Sequence, residues 1–211
     1  NVTISTDNTT TDGTIDFAST IAGVSDSTDD NLVLLTGDNG DGATLSLGGV
    51  IGGSVALTSL DINQSAGDIA MSIPGIGGAS AGVTGATRIG NTGSGDITFT
   101  ADGANAYNFG GSLTVTSDGG AGAFTFTNAP TITAGGAVAF NEGSGTDDTM
   151  VLADLKNVSI TTASANTDIT LPNIDGTAGD GDVGTDLTVN AGTGTVNLES
   201  IDTDINDLQV T

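Results

Sequence analysis

Residues 158–174 read VSITTASANTDITLPNI: two apolar residues spaced two apart, a polar turn, a second such pair, and a closing Ile. Each pair alternates apolar with polar, the period of a strand with one buried face. The same phrase recurs along the chain. Its first copies are Val2/Ile4 with Ile15/Phe17 and Ile21, Leu32/Leu34 with Leu45/Leu47 and Val50, and Leu60/Ile62 with Ile69/Met71 and Ile73. Then come Leu113/Val115 with Phe124/Phe126 and Ile132, and Val138/Phe140 with Met150/Leu152 and Leu155. The opening stretch follows, then Leu187/Val189 with Val196/Leu198 and Ile201, and Leu208/Val210 starts one more copy. Between Leu60 and Leu113 the interval is double, with Ile97/Phe99 as a second strand and a weak first strand within VTGATRIG.

Neither pair buries its apolar face alone, so the chain is expected to coil and stack each coil on the last, with equivalent strands parallel. The fold class predicted is all-β, a parallel β-helix of about eight irregular coils forming a single domain over residues 1–211. Thr3, Thr114 and Thr125 then face outward, and five of the six Phe occupy inward slots, Phe109 alone falling outside the repeat. The turns are Gly, Asp, Asn and Ser, and with 34 Gly but only 3 Pro the chain lacks a collagen composition.

The net charge is −24, and every acidic residue except Glu142 and Glu199 is Asp, a turn former and oxygen ligand. Such a field repels phosphate backbones and anionic lipid, so no nucleic-acid partner and no membrane insertion are expected. No run of apolar residues is long enough to span a bilayer.

With no His, no Cys and only Arg88 and Lys156 as basic side chains, triads, thiol chemistry and zinc sites have no components, and the chain reads as not an enzyme. Asp147–Asp148 resembles the acid pair of β-helical polygalacturonases, but the basic stretches that accompany that pair there are missing. Calcium is the better fit to the acidic turns: Asp175, Asp180, Asp182 and Asp186 in one Gly-rich stretch, and Asp38 and Asp41 in another, offer the hard oxygens that Ca2+ takes. Neither stretch matches the EF-hand loop, and turns use the same residues. No cofactor is required.

Four Asn-x-Ser/Thr sequons stand at Asn1, Asn8, Asn63 and Asn157. Thr-x-Thr pairs begin at Thr98, Thr114, Thr125 and Thr131, a pattern resembling the faces of solenoidal ice-binding proteins, although the repeat scatters them over different faces.

Phrases such as GSLTVTSDGGAGAFTF and GDITFTADGANAYNFGGSLTVTS resemble the repeats of large secreted bacterial exoproteins of the filamentous haemagglutinin type. That resemblance implies a right-handed β-helix, a secreted or cell-surface location and a stalk-like or adhesive role. The function expected is an extracellular structural rod stacking head-to-tail with other copies of itself, or with neighbouring segments of the same polypeptide, as a filament subunit or adhesin stalk. A calcium-dependent surface-layer or carbohydrate-adhesion module is the alternative, and an ice-binding solenoid a further one.

Overall fold

The structure is a computed structural model, and it describes residues 1–6, 13–25, 29–37, 44–63, 69–91, 95–117, 123–142, 149–154, 156–176, 185–202 and 204–211. In chain order the strands are β1 (Val2–Ser5), β2 (Ile15–Phe17), β3 (Asn31–Leu35), β4 (Leu45–Leu47), β5 (Ser59–Ile62), β6 (Met71–Ile73), β7 (Thr87–Ile89), β8 (Ile97–Phe99), β9 (Gly103–Phe109) and β10 (Leu113–Ser117). They continue as β11 (Phe124–Phe126), β12 (Pro130–Ala134), β13 (Val138–Glu142), β14 (Thr149–Leu152), β15 (Asn157–Thr162), β16 (Ile169–Leu171), β17 (Asn173–Gly176), β18 (Thr185–Asn190), β19 (Val196–Leu198) and β20 (Ile205–Val210). No helix occurs among the described residues.

All pairing between these strands is parallel, each strand lying on its equivalent one winding away. The first sheet runs β1-β3-β5-β7-β10-β13-β16-β19, the second β2-β4-β6-β8-β11-β14-β17, and the third β9-β12-β15-β18-β20. The result is a β-solenoid of about six turns, with one apolar core along its inside.

The inward column of the first sheet is Val2, Leu32, Leu60, Thr87, Leu113, Val138, Ile169 and Val196. Successive members stand from 25 residues apart (Leu113 to Val138) to 31 (Val138 to Ile169). The missing first strand in VTGATRIG is β7, where Thr87 takes the slot that Leu holds on either side. Its hydroxyl is buried without a hydrogen-bond partner, a local cost that the apolar neighbours carry.

Three parts of the predicted repeat are shifted. In the second copy the bridge on the third side is made by the buried Ile51, not by the exposed Val50. In the third copy the second strand is Met71–Ile73 rather than Ile69/Met71, and Ile76, not Ile73, makes the bridge on the third side. From Val158 onward the phase changes: Val158/Ile160 belong to the third sheet, Ile169/Leu171 to the first and Ile174 to the second. Ile160 pairs with Ile132, which the repeat treats as a closing residue, and Ile169 pairs with Val138. All three sheets write the same alternation, so only the partner strand tells them apart.

Aromatic side chains fill the middle of the core. Phe99 and Phe126 are register partners whose rings stack with centroids 4.8 Å apart, and Tyr107 meets Phe99 edge-on at 5.3 Å. Phe140 packs edge-on against Phe124 at 5.4 Å. Phe109 is also inward, buried on the third sheet. The fully buried Tyr107 hydroxyl donates to the Ile73 carbonyl at 2.8 Å and accepts from the Ala101 N–H at 3.0 Å, which satisfies it in the core.

Candidate functional surfaces

A solenoid presents two kinds of surface, the outward faces of its sheets and the edges of its stacks. The first and second sheets begin at β1 and β2, and the first and third end at β19 and β20. At the first edge Val2 is 56% exposed, and Ile4, Phe17 and Ile21 are only partly covered. At the other, Ile201 is 39% and Val210 47% exposed, with Val196, Leu198 and Leu208 partly covered. These are the same apolar columns that one winding further in are closed by the next coil. Each edge therefore presents both a row of main-chain groups and the open end of the core.

The acidic turns divide differently. Among the candidate calcium residues, Asp38, Asp41, Asp180 and Asp182 lie outside the described residues, as do Asp147 and Asp148. Asp175 and Asp186 are described, on β17 of the second sheet and β18 of the third. Asp175 lies beside Asp202, because Ile174 and Ile201 are bridge partners one residue earlier. Partial burial, followed by the neighbouring charges of Asp202 and Asp204, raises the Asp175 pKa above the usual carboxylate value. Asp186 is in register with Asn157 on one side and Asp207 on the other, and its Oδ1 accepts from the Asn206 amide at 3.1 Å. Among the described residues no group of three acidic side chains is arranged to hold a metal ion.

The basic side chains are put to different use. Arg88 stands beside Asp61 in the ladder, and its Nη1 lies 3.4 Å from Asp61 Oδ1 on the exposed surface. Of the sequons, Asn63 is fully buried, and its side chain accepts from the Thr36 hydroxyl at 3.3 Å, so it is closed to glycosylation in the folded chain. Asn1 and Asn157 are exposed, and Asn8 lies outside the described residues.

The Thr-x-Thr pairs do more than scatter. Thr98 and Thr125 are register partners on the second sheet. The third sheet builds a longer array. One outward column runs Thr131, Ser159, Thr188, Gln209. Beside it Asn108, Thr133, Thr161 and Asn190 follow one another, and Thr211 continues the column through main-chain bonds to Val189 and Ala191. No charged side chain stands in either column, although the chain carries −24. The repeat missed this array because it assigned β12 as a closing residue and β15, β18 and β20 as first strands. Comparison with protein-family models, with curated proteins and with solved structures finds no match for this chain.

Proposed function

We propose that this chain is a non-enzymatic structural rod of the cell exterior, a right-handed solenoid of eight coils that stacks end to end as a filament subunit or as one stretch of an adhesin stalk. The observation that carries this reading is the stack itself: in parallel ladders each coil closes the apolar columns of the one before it, along one continuous core. A further coil laid on either edge continues three ladders of main-chain hydrogen bonds and closes the same columns again. Such a contact is head-to-tail, so it propagates along the axis.

The eight strands of the first sheet support the coil count, and at ~4.8 Å per coil the rod is roughly 38 Å long. The likeness of its strand and turn phrases to haemagglutinin-type repeats supports the right hand and the extracellular setting. The acidic surface supports solubility, since like-charged rods repel side by side while their edges still meet.

The test is assembly at high protein concentration, followed by electron microscopy and fibre diffraction. Fibres with the strand spacing along their axis support a filament, and Val2→Asp at one edge should lower fibre yield at least tenfold without changing the melting temperature by more than a few degrees. A chain that remains monomeric, and whose gene encodes no further repeats of this texture, would overturn the proposal.

A further inference from the structure

We propose that the junction between the winding of β16, β17 and β18 and the following one, which holds β19 and β20, is an electrostatic seam, tightened by acid or by salt and loosened at neutral pH and low ionic strength. The seam lies between two windings of the chain itself and is independent of end-to-end stacking.

Its basis is the register. On the second side Ile174 and Ile201 are bridge partners, which lays Asp202 beside Asp175. On the third sheet Asp186 is in register with Asp207. Asp204 reaches the same junction: its main chain approaches Gly176 so closely that a Cβ there would lie 2.4 Å from the Asp204 carbonyl oxygen. Carboxylates from two sides of the rod therefore meet across one interface. In the other ladders a carboxylate stands beside an uncharged or a basic residue, Asp16 beside Ser46 and Asp61 between Val33 and Arg88. Like charges directly opposite one another in a sheet are destabilising.

The neighbouring groups do not offset this repulsion. On its inner side Asp175 faces Val151 of β14, and Asp186 faces Asn157 of β15, which Lys156 precedes. Lys156 and Asp207 lie on opposite sides of β18, so the ammonium does not separate the stacked carboxylates. Across the seam the Asn206 amide donates to Asp186 Oδ1 at 3.1 Å but brings no charge, and the register slips there between Thr185 and Asp186. Burial, then Asp202 and Asp204, already hold the Asp175 carboxyl above its ordinary pKa.

Range decides how the repulsion responds to salt. At ~0.01 M the screening length is ~30 Å and all these carboxylates act on one another, whereas at ~1 M it is ~3 Å, shorter than the distance between strands. Closed, the seam covers Ile174, Leu187 and Val189, which are buried. Loosened, it is the place where the core is bared first.

The experiment is hydrogen exchange of the whole chain, read at single amides by NMR as protection factors, so that the pH dependence of the exchange chemistry drops out. The Ile174 N–H donates across the seam to the Ser200 carbonyl and the Thr211 N–H to the Val189 carbonyl, while the Ala163 and Gly135 amides cross inner junctions. At neutral pH, raising NaCl from ~0.01 M to ~1 M should increase protection of Ile174 and Thr211 about threefold or more and leave Ala163 and Gly135 nearly unchanged. Acidification through the carboxylate range at low salt should do the same. In the double variant Asp202→Asn with Asp207→Asn the salt response of Ile174 and Thr211 should vanish, whereas Asp16→Asn, on the outward surface of the second sheet, should leave it intact. An equal response at all four amides would assign the effect to the charge of the whole chain and overturn the proposal. So would an unaltered response in the double variant, no response at all, or a larger response to CaCl2 than to NaCl at equal ionic strength, which would put a bound cation in place of screening.

Discussion

The third side of the solenoid is built in two ways. In the later windings it is a continuous sheet, where Tyr107 and Phe109, Ile132 and Ala134, and Ile160 and Thr162 point inward with a single outward residue between them. In the earlier windings the same inward places are held by isolated bridges. Ile51 and Ile76 match Tyr107, while Leu57 and Val83 match Phe109. Between Ile51 and Leu57 stands GGSVA, and between Ile76 and Val83 stands GGASAG. The core is the same in both regions, since these bridge residues are all buried. The fold therefore needs the two inward residues and tolerates what lies between them, provided that the excursion closes at its base. Gly77 and Gly82 close it: Gly77 has φ of +81°, and a Cβ on Gly82 would lie 2.2 Å from the Gly77 nitrogen.

The largest effect should come from the continuous region. Ile160→Asp puts an unpaired carboxylate into a fully buried column, and the cost is several kcal/mol. Ser159→Asp, one residue away and pointing outward, should be nearly silent in melting. Equal melting temperatures for the two would break the inward and outward assignment of the third sheet.

Next comes the base of the excursion. Gly77→Ala asks an L-residue to hold a left-handed φ while its Cβ overlaps main-chain atoms of Gly82, Ser80 and Asn108, and the expected loss is about 1–3 kcal/mol. Asn108→Ala, at the matching position of the continuous region, should cost under ~1 kcal/mol. Denaturant melts of the two variants measure the difference, and similar values would mean that the excursion is not held by its glycine base.

How far the sequence could be read follows from the same contrast. Inward pairs such as Leu32/Leu34 and Phe124/Phe126 are legible because alternation reports one buried face directly, and they stand where the repeat puts them. The third side was read as one closing residue, at Ile21, Val50 and Ile73, because its early windings hold only isolated bridges, at Ile21, Ile51 and Ile76, and short of a full strand nothing fixes which apolar residue of a turn points inward. Once β15 wrote a full strand there, the repeat took it for a first strand and the phase slipped. Thr87 hid β7 for a simpler reason, since a polar residue in an inward slot breaks the pattern that defines the slot. The polar columns of the third sheet were illegible until the register was known, because no single stretch of sequence contains a column. Of the acidic candidates, two stackings emerge among the described residues, Asp175 beside Asp202 through the bridge of their neighbours and Asp186 in register with Asp207.

The stacking of Asp175 on Asp202 gives a smaller, pH-dependent effect. Where the earlier windings set Arg88 beside Asp61, the later ones set Asp202 beside Asp175. The folded-state pKa of Asp175 is raised, so folding favours its protonated form. Its contribution is fully present below the unfolded carboxylate pKa and is lost as pH rises through the folded value. Melting temperature should therefore fall slightly from acid toward neutral pH, just above the usual carboxylate range. Asp175→Asn should remove that part of the slope and raise stability a little at neutral pH. The effect is small because the group is largely solvated. An unchanged slope in the variant would mean that the neighbouring carboxylates do not repel it.

The smallest change in stability is expected from the most drastic edit, removal of Gly78–Gly82. In the earlier winding the Gly77 N–H donates to the Ile51 carbonyl, and the Gly82 carbonyl accepts from the Leu57 N–H. These are the two bonds that one outward residue between Ile76 and Val83 makes in an unbroken parallel ladder. Excision joins them on Gly77, leaving Ile76-Gly77-Val83 opposite Tyr107-Asn108-Phe109. The Asn108 carbonyl, which accepts from the Gly82 N–H at 2.8 Å, then faces the Val83 N–H instead. Both bridge residues keep their buried places, and no ladder bond is left without a substitute. The shortened chain should fold to the same solenoid with a melting temperature within a few degrees of the parent, and hydrogen exchange should show the Val83 amide protected. Loss of cooperative melting would mean that GGASAG does more than pass the chain around the outside, and that the early third side is a structure of its own rather than an interrupted copy of the later one.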